Sequence, residues 1–226
     1  GDVYKRQVLL EAADGTQRVL PYPDAELTRL DINEGSTVTL RDHRLAKAAH
    51  KVYFTRHGET VWNVENKICG MTDSPLTEKG RAQARELGEK LRTSGLRIDE
   101  ILYSPLSRAA DTARAIAEAT GIPARCEPRL REQCFGRYEG TPRDGEEFRI
   151  SKTHFADRYS GGESMMQLAQ RIYNLLDELR ADTDKTYLLV AHNGIARVVQ
   201  SYFYDMTNEE YAAAGIKNCE FVEFTF

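Results

Sequence analysis

The chain has 226 residues, enough for one full domain and an appendage, and its 41% hydrophobic and 29% charged residues are those of a globular protein. No apolar stretch approaches the ~20 residues that span a bilayer, and the first residues lack the charged-then-apolar layout of a secretory leader. A cytoplasmic location is therefore expected, and a membrane partner is not. A formal net charge of −4 supplies no general attraction to nucleic acid, so any grip on an anionic ligand must come from a few local Arg and His residues.

In chain order, residues 1–7, GDVYKRQ, stand apart. DVYKRQ reads back as GAT GTG TAT AAG AGA CAG, the pattern of a transposon-type sequencing adapter, so the heptapeptide is expected to be a processing scar. Residues 8–50 read as a β-rich segment: VLLEA and TQRVL flank Asp14-Gly15 in a hairpin pattern, TVTL at 37–40 suits another strand, and 41–50 reads as a charged linker. No chemistry is visible there. Two origins stay open, a small β appendage or the tail of a fused N-terminal domain missing from this fragment.

Residues 51–226 repeat strand, loop and helix, the pattern of a three-layer α/β sandwich: a mostly parallel central sheet with helices on both faces. KVYFT (51–55) and EILY (100–103) are predicted strands, and Thr77 to Ser94 is a helix burying Ala84, Leu87, Gly88 and Leu91. Ser104-Pro105 reads as a helix cap followed by its first turn. Ser164 and Gln167 form a capping-box pattern. TYLLVA (186–191), apolar throughout, suits the centre of a sheet. Asn193 to Met206 is a further helix, and the alternating CEFVEFTF an edge strand. Cys69, Cys126, Cys134 and Cys219 are scattered without a C-x-x-C pair and read as reduced thiols. No metal or other cofactor is implied.

Three strand ends carry reactive residues. KVYFT runs into Arg56-His57-Gly58, EILY into Ser104-Pro105-Leu106-Ser107-Arg108, and TYLLVA into His192-Asn193-Gly194. Ligands of open α/β sheets bind beyond the carboxyl ends of the strands, where helix N-termini also present N–H groups to phosphate. A neutral imidazole can attack phosphorus directly. Phosphoryl transfer then asks mainly for positioning and for charge stabilisation, which planar Arg forks supply better than Lys. A leaving alkoxide also needs a carboxylic acid nearby; Glu132 is the choice, with Glu59, Asp73 and Glu139 as the other candidates.

RHGETVWN, DSPLTEKGRAQA, SPLSRAADTA, LREQCFGRYEG, GGES and VAHNG occur in that order. In this the chain resembles the histidine phosphatase (phosphoglycerate mutase-like) superfamily over residues 51–226. The resemblance implies His57 as phosphoacceptor, Arg56, Arg108 and His192 as phosphate ligands, Asn63 in the T-x-x-N slot on the phosphoryl group and Glu132 as general acid and base. Asn193 stands where many relatives have glycine and joins the substrate-binding set. The expected activity is hydrolysis of small phosphomonoesters through a phosphohistidine, the partner being a small phosphorylated metabolite. The compact form resembles the small monophosphatases, including those of the α-ribazole phosphatase and broad-specificity type. A phosphoglycerate mutase-type phosphotransferase and a non-catalytic binding protein on the same fold are the alternatives. Residues 141–160 are expected to cap the site and set specificity, with Arg143, Lys152 and Arg158 meeting further anionic groups.

Overall fold

The computed structural model describes residues 6–11, 17–22 and 50–226, and the chain divides into two compact units, Gly1–Ala49 and His50–Phe226. In the first unit, strands β1 (Arg6–Glu11) and β2 (Gln17–Tyr22) pair antiparallel, with Arg6 opposite Tyr22 and Glu11 opposite Gln17. This is the expected hairpin, and Arg6 and Gln7 of the heptapeptide belong to it. Residues 1–5, the connection carrying Asp14-Gly15, the predicted strand at 37–40 and the linker as far as residue 49 lie outside the described residues.

The second unit is built on five strands: β3 (Lys51–Arg56), β4 (Glu100–Tyr103), β5 (Ala124–Cys126), β6 (Tyr187–Ala191) and β7 (Phe221–Thr225). Their spatial order is β5-β4-β6-β3-β7, and all neighbours are parallel except the β3–β7 pair. Every residue of β6 is buried, as its apolar run requires of a central strand. Its alternation divides the core: Tyr187, Leu189 and Ala191 join one apolar cluster, and Leu188 and Val190 the other. Helices α2 (Glu78–Thr93) and α3 (Ser107–Thr120) cover the second cluster, α5 (Met165–Ala181) and α6 (Asn193–Phe203) the first. Helices thus lie on both faces of one mixed sheet. Among the described residues, no helix is long and apolar enough to cross a membrane.

The predicted helix starts hold at Thr77, whose side chain accepts from Gly80 N, and at Ser164, whose capping box with Gln167 is complete. Two boundaries differ from the expectation. α3 begins at Ser107, not after Ser104: Ser104 is fully buried, its Oγ accepts from Leu106 N at 3.3 Å and lies 2.6 Å from His192 Nε2, and the open N–H of Ser107 is met by Asp73 Oδ2 at 2.7 Å. α6 stops at Phe203 rather than Met206, and a separate helix α7 (Asn208–Ala213) starts under its own capping box, Thr207 with Glu210. The short helices α1 (Val61–Val64) and α4 (Glu146–Ser151) flank the mouth of the sheet. The predicted cap is anchored there by Phe148 and Tyr159, which pack with Ile68 and Tyr138.

Candidate active site

His57 follows the last residue of β3, and its backbone N–H donates to Ala191 O at 3.0 Å. Its Nδ1 lies 2.7 Å from Gly58 O. A carbonyl only accepts, so Nδ1 carries the proton and Nε2 keeps its lone pair. The ring is buried, and burial followed by the Arg108 and Arg56 guanidiniums holds its pKa well below the usual histidine value. His57 is therefore a neutral imidazole with one defined nucleophilic nitrogen.

His192 ends the β6 connection and caps α6, and its ring centroid lies 5.2 Å from that of His57. Its Nε2 is engaged by Ser104, while Nδ1 is buried without a partner. Burial, then Arg108 and His57, also push its pKa well down. Arg108 is 1% exposed and donates to Gly70 O at 2.7 Å and Thr72 O at 3.1 Å, with Asp73 Oδ1 at 3.2 Å. Arg56 donates Nη1 to Ile216 O at 3.0 Å, and burial and the nearby Arg143 bring its pKa down to about 10. The Nε atoms of Arg56 and Arg108, like His192 Nδ1, are buried without a partner. Buried polar groups are normally hydrogen-bonded, so these three atoms leave hydrogen-bonding capacity that the oxygens of an anion can take up.

Glu132 sits just past the 3₁₀ turn Pro128–Leu130. Its carboxylate accepts from Gln133 N at 2.9 Å and from Gly194 N, in the first turn of α6, at 3.2 Å. A Cβ on residue 194 would come within 2.4 Å of Glu132 Oε1, so the glycine lets the carboxylate lie against the helix start. The segment carrying Glu132 is clamped by Arg171 of α5, which holds the carbonyls of Arg129 and Glu132 and pairs in bidentate fashion with Glu163. Asn63 Oδ1 accepts from Thr60 N and from Asn218 Nδ2, and Asn218 also donates to His57 O at 2.9 Å. Asn193 Oδ1 accepts from Ile216 N at 2.9 Å and so ties the start of α6 to the 214–218 loop.

These residues line one open cleft with about 550 Å³ of empty space; Arg56, His57, Asn63, Arg108, Glu132 and Asn193 all reach its wall, and His192 packs behind His57. The structure therefore brings His57, Arg56, Arg108, His192, Asn63, Glu132 and Asn193 together. Glu132 is the only carboxylate among the lining residues. The other candidate acids are committed elsewhere: Glu59 to Lys79 and Thr77, Asp73 to Ser107 N and Arg108, and Glu139 to the backbone of Met71, Thr72 and Phe135. Arg143 and Lys152 line the cleft, whereas Arg158 is exposed and borders a different groove. The sequence reading missed Arg197, Asn218 and Arg171. Arg197 lies one helical turn beyond Asn193, an i, i+4 spacing that could have found it. Asn218 and Arg171 carry no local signal.

The sequence pattern of the histidine phosphatase superfamily (branch 1) matches residues 52–226. The chain is 43% identical over 154 residues to "Probable phosphoglycerate mutase GpmB" of Enterobacter sp. (strain 638), a match covering 65% of this chain and 70% of that protein. Among solved structures, a mycobacterial glucosyl-3-phosphoglycerate phosphatase complexed with VO3 superposes with a TM-score of 0.67 at 30% identity, covering 77% of this chain and 90% of that one. A second structure, "Mycobacterial hydrolase 1", gives a TM-score of 0.69 at 30% identity over 78% of this chain and 92% of its own. With the reactive histidines, arginines and glutamate gathered at one sheet edge and the family pattern running from β3 to the last residue, the chain belongs to the histidine phosphatase superfamily, branch 1.

Proposed function

We propose that the protein hydrolyses small phosphomonoesters by way of a phosphohistidine on His57. The observation that carries this reading is the Nδ1 contact to Gly58 O, which points a lone pair at Nε2 into a cleft ringed by guanidiniums. Nε2 attacks phosphorus as the ester P–O bond breaks, and Glu132 gives the departing alkoxide its proton. Arg56, Arg108, His192 and Asn63 take up the charge on the equatorial oxygens. Glu132, now a carboxylate, removes a proton from water, which attacks phosphorus. The N–P bond breaks, inorganic phosphate leaves and His57 returns to its neutral form. Asn193 holds the start of α6 against the 214–218 loop and borders the bound ester.

The test is a screen over phosphomonoesters beside His57→Ala, with phosphoenzyme labelling quenched in alkaline detergent and its lability to acid then measured. Wild type is expected to release phosphate and to carry an acid-labile label that His57→Ala lacks; equal labelling in both would overturn the reading. Because the charge stabilisers are Arg and His, EDTA should leave the rate unchanged, and vanadate should inhibit by occupying the phosphoryl pocket. A strict magnesium requirement would count against the mechanism.

A second reading, mutase-type transfer back to product, is favoured by the 43% identity to a relative named as a mutase. Release of inorganic phosphate from phosphoglycerate, measured against isomer interconversion, separates the two.

A further inference from the structure

Three cations that the phosphoryl chemistry leaves unused line the same cleft. Arg143 donates Nε to Lys67 O at 2.8 Å, and Arg197 of α6 donates Nε to Ala214 O at 2.6 Å. Each guanidinium is thus anchored by its inner nitrogen, and its two terminal amino groups have no protein partner among the described residues. Lys152, at the end of α4, sets its ammonium 4.6 Å from the centre of the Phe148 ring. All three side chains are half-buried.

Among the described residues none of the three meets a carboxylate, unlike partly buried cations elsewhere in the unit. Arg129 pairs with Glu127 and Glu178, and Arg171 with Glu163. The one carboxylate in the cleft, Glu132, is held by backbone N–H groups instead. Three like charges on one half-desolvated wall are costly unless an anion joins them. The strain registers on Lys152: burial, then Arg197 and Arg143, bring its pKa down to about 8. Arg143 also lowers the pKa values of Arg56 and His57, which places this wall beside the phosphoryl pocket.

We infer that Arg143, Lys152 and Arg197 form a subsite for a second anionic group of the substrate, a carboxylate or a further phosphate a short spacer away from the phosphoryl group that is transferred. The inference rests on the phosphohistidine reading. It names the substrate class as short phosphomonoesters with a charged far end, and it excludes neutral alkyl phosphates as good substrates.

The test uses three compounds of matched length: 3-hydroxypropyl phosphate, 3-phosphooxypropanoate and propane-1,3-diol bisphosphate. Wild type is expected to favour one or both charged compounds over the neutral one by at least about tenfold in kcat/KM, mainly through KM. A preference shared by both identifies a general anion subsite, and a preference for one identifies carboxylate or phosphate as the group taken. Arg143→Gln, Lys152→Met and Arg197→Gln should each lower that charged-to-neutral ratio several-fold. Equal turnover of all three compounds, or a ratio unchanged in all three variants, would overturn the subsite while leaving the phosphohistidine intact. If wild type turns over none of the compounds, the phosphohistidine reading fails for this class, and titration calorimetry with His57→Ala still decides the subsite. Charged compounds binding about tenfold tighter than the neutral one, with the difference reduced when Lys152→Met is added, would support it. Equal binding would refute it.

Discussion

His57 and His192 are both buried and both held below the ordinary histidine pKa, first by loss of solvent and then by the arginines around them. In the unfolded chain each titrates near 6.5. Between that value and the lower folded pKa, the unfolded state binds more protons, so stability is present above about pH 6.5 and is lost as pH falls below it. Each histidine can contribute up to about 1.4 kcal/mol per pH unit over that window. Urea midpoints in phosphate-free buffer should therefore fall between pH 7 and pH 5.5, and His192→Asn should flatten the fall; an unchanged slope would mean that the ring takes up its proton in the folded state. Glu132 belongs to the same scale. Glu132→Gln should cost alkyl phosphates at least about a hundredfold in kcat while an aryl phosphate, whose phenolate leaves with little help, is affected far less. Equal losses would make the carboxylate structural. Both histidines and Glu132 were legible because each lies in a motif block. The second contacts that define them, Gly58 O and Ser104 Oγ for the rings and Gly194 N for the carboxylate, became visible only in the fold.

At the scale of elements, the loop bearing His57 and the start of α2 pack backbone to backbone. A Cβ on Gly58 would lie 2.4 Å from Gly80 O, and one on Gly80 would lie 2.1 Å from Glu59 O. Neither obstacle is a flexible side-chain end, so Gly80→Ala must push α2 away from the β3 loop. A loss of roughly 1–3 kcal/mol is expected, as for overpacked interiors, together with a fall in kcat because the loop sets the His57 ring. Wild-type thermal stability in Gly80→Ala would show that the helix shifts freely. The Thr77 cap and apolar face of α2 could be read from local spacing, whereas the contact between two glycines 22 positions apart could not. The start of α3 shows the same limit. Ser104 before Pro105 is good cap chemistry, and its hydroxyl accepts from Leu106 N at 3.3 Å, but it also meets His192 Nε2 at 2.6 Å, a residue 88 positions away. The tertiary partner adds to the local one, because Ser104 and His192 are both fully buried and their polar atoms must find partners there.

Across the whole molecule, every residue assigned to the cleft lies between Arg56 and Arg197, within the second compact unit. The family pattern likewise begins at residue 52. A chain starting at residue 50 is therefore expected to keep its melting temperature within a few degrees and its kcat within about twofold of the full chain. A large loss in either, measured by calorimetry and phosphate release, would give the β1–β2 segment a part in the activity.

The sequence by itself determined the strand and helix pattern, the central place of TYLLVA, and His57, Arg56, Arg108, His192 and Asn63 as the candidate residues of the site. Periodicity, caps and the order of motif blocks are local properties of the chain and can be read along it. Only the tertiary structure decided which of the candidate acids lines the cleft beside His57. Glu59, Asp73 and Glu139 are equal to Glu132 in chemistry, but they are held by other segments away from the cleft wall, which of the four only Glu132 reaches. It likewise decided that Arg197 joins Arg143 and Lys152 while Arg158 turns to another groove. Where a long side chain ends depends on contacts between segments far apart in sequence, and no local pattern encodes them.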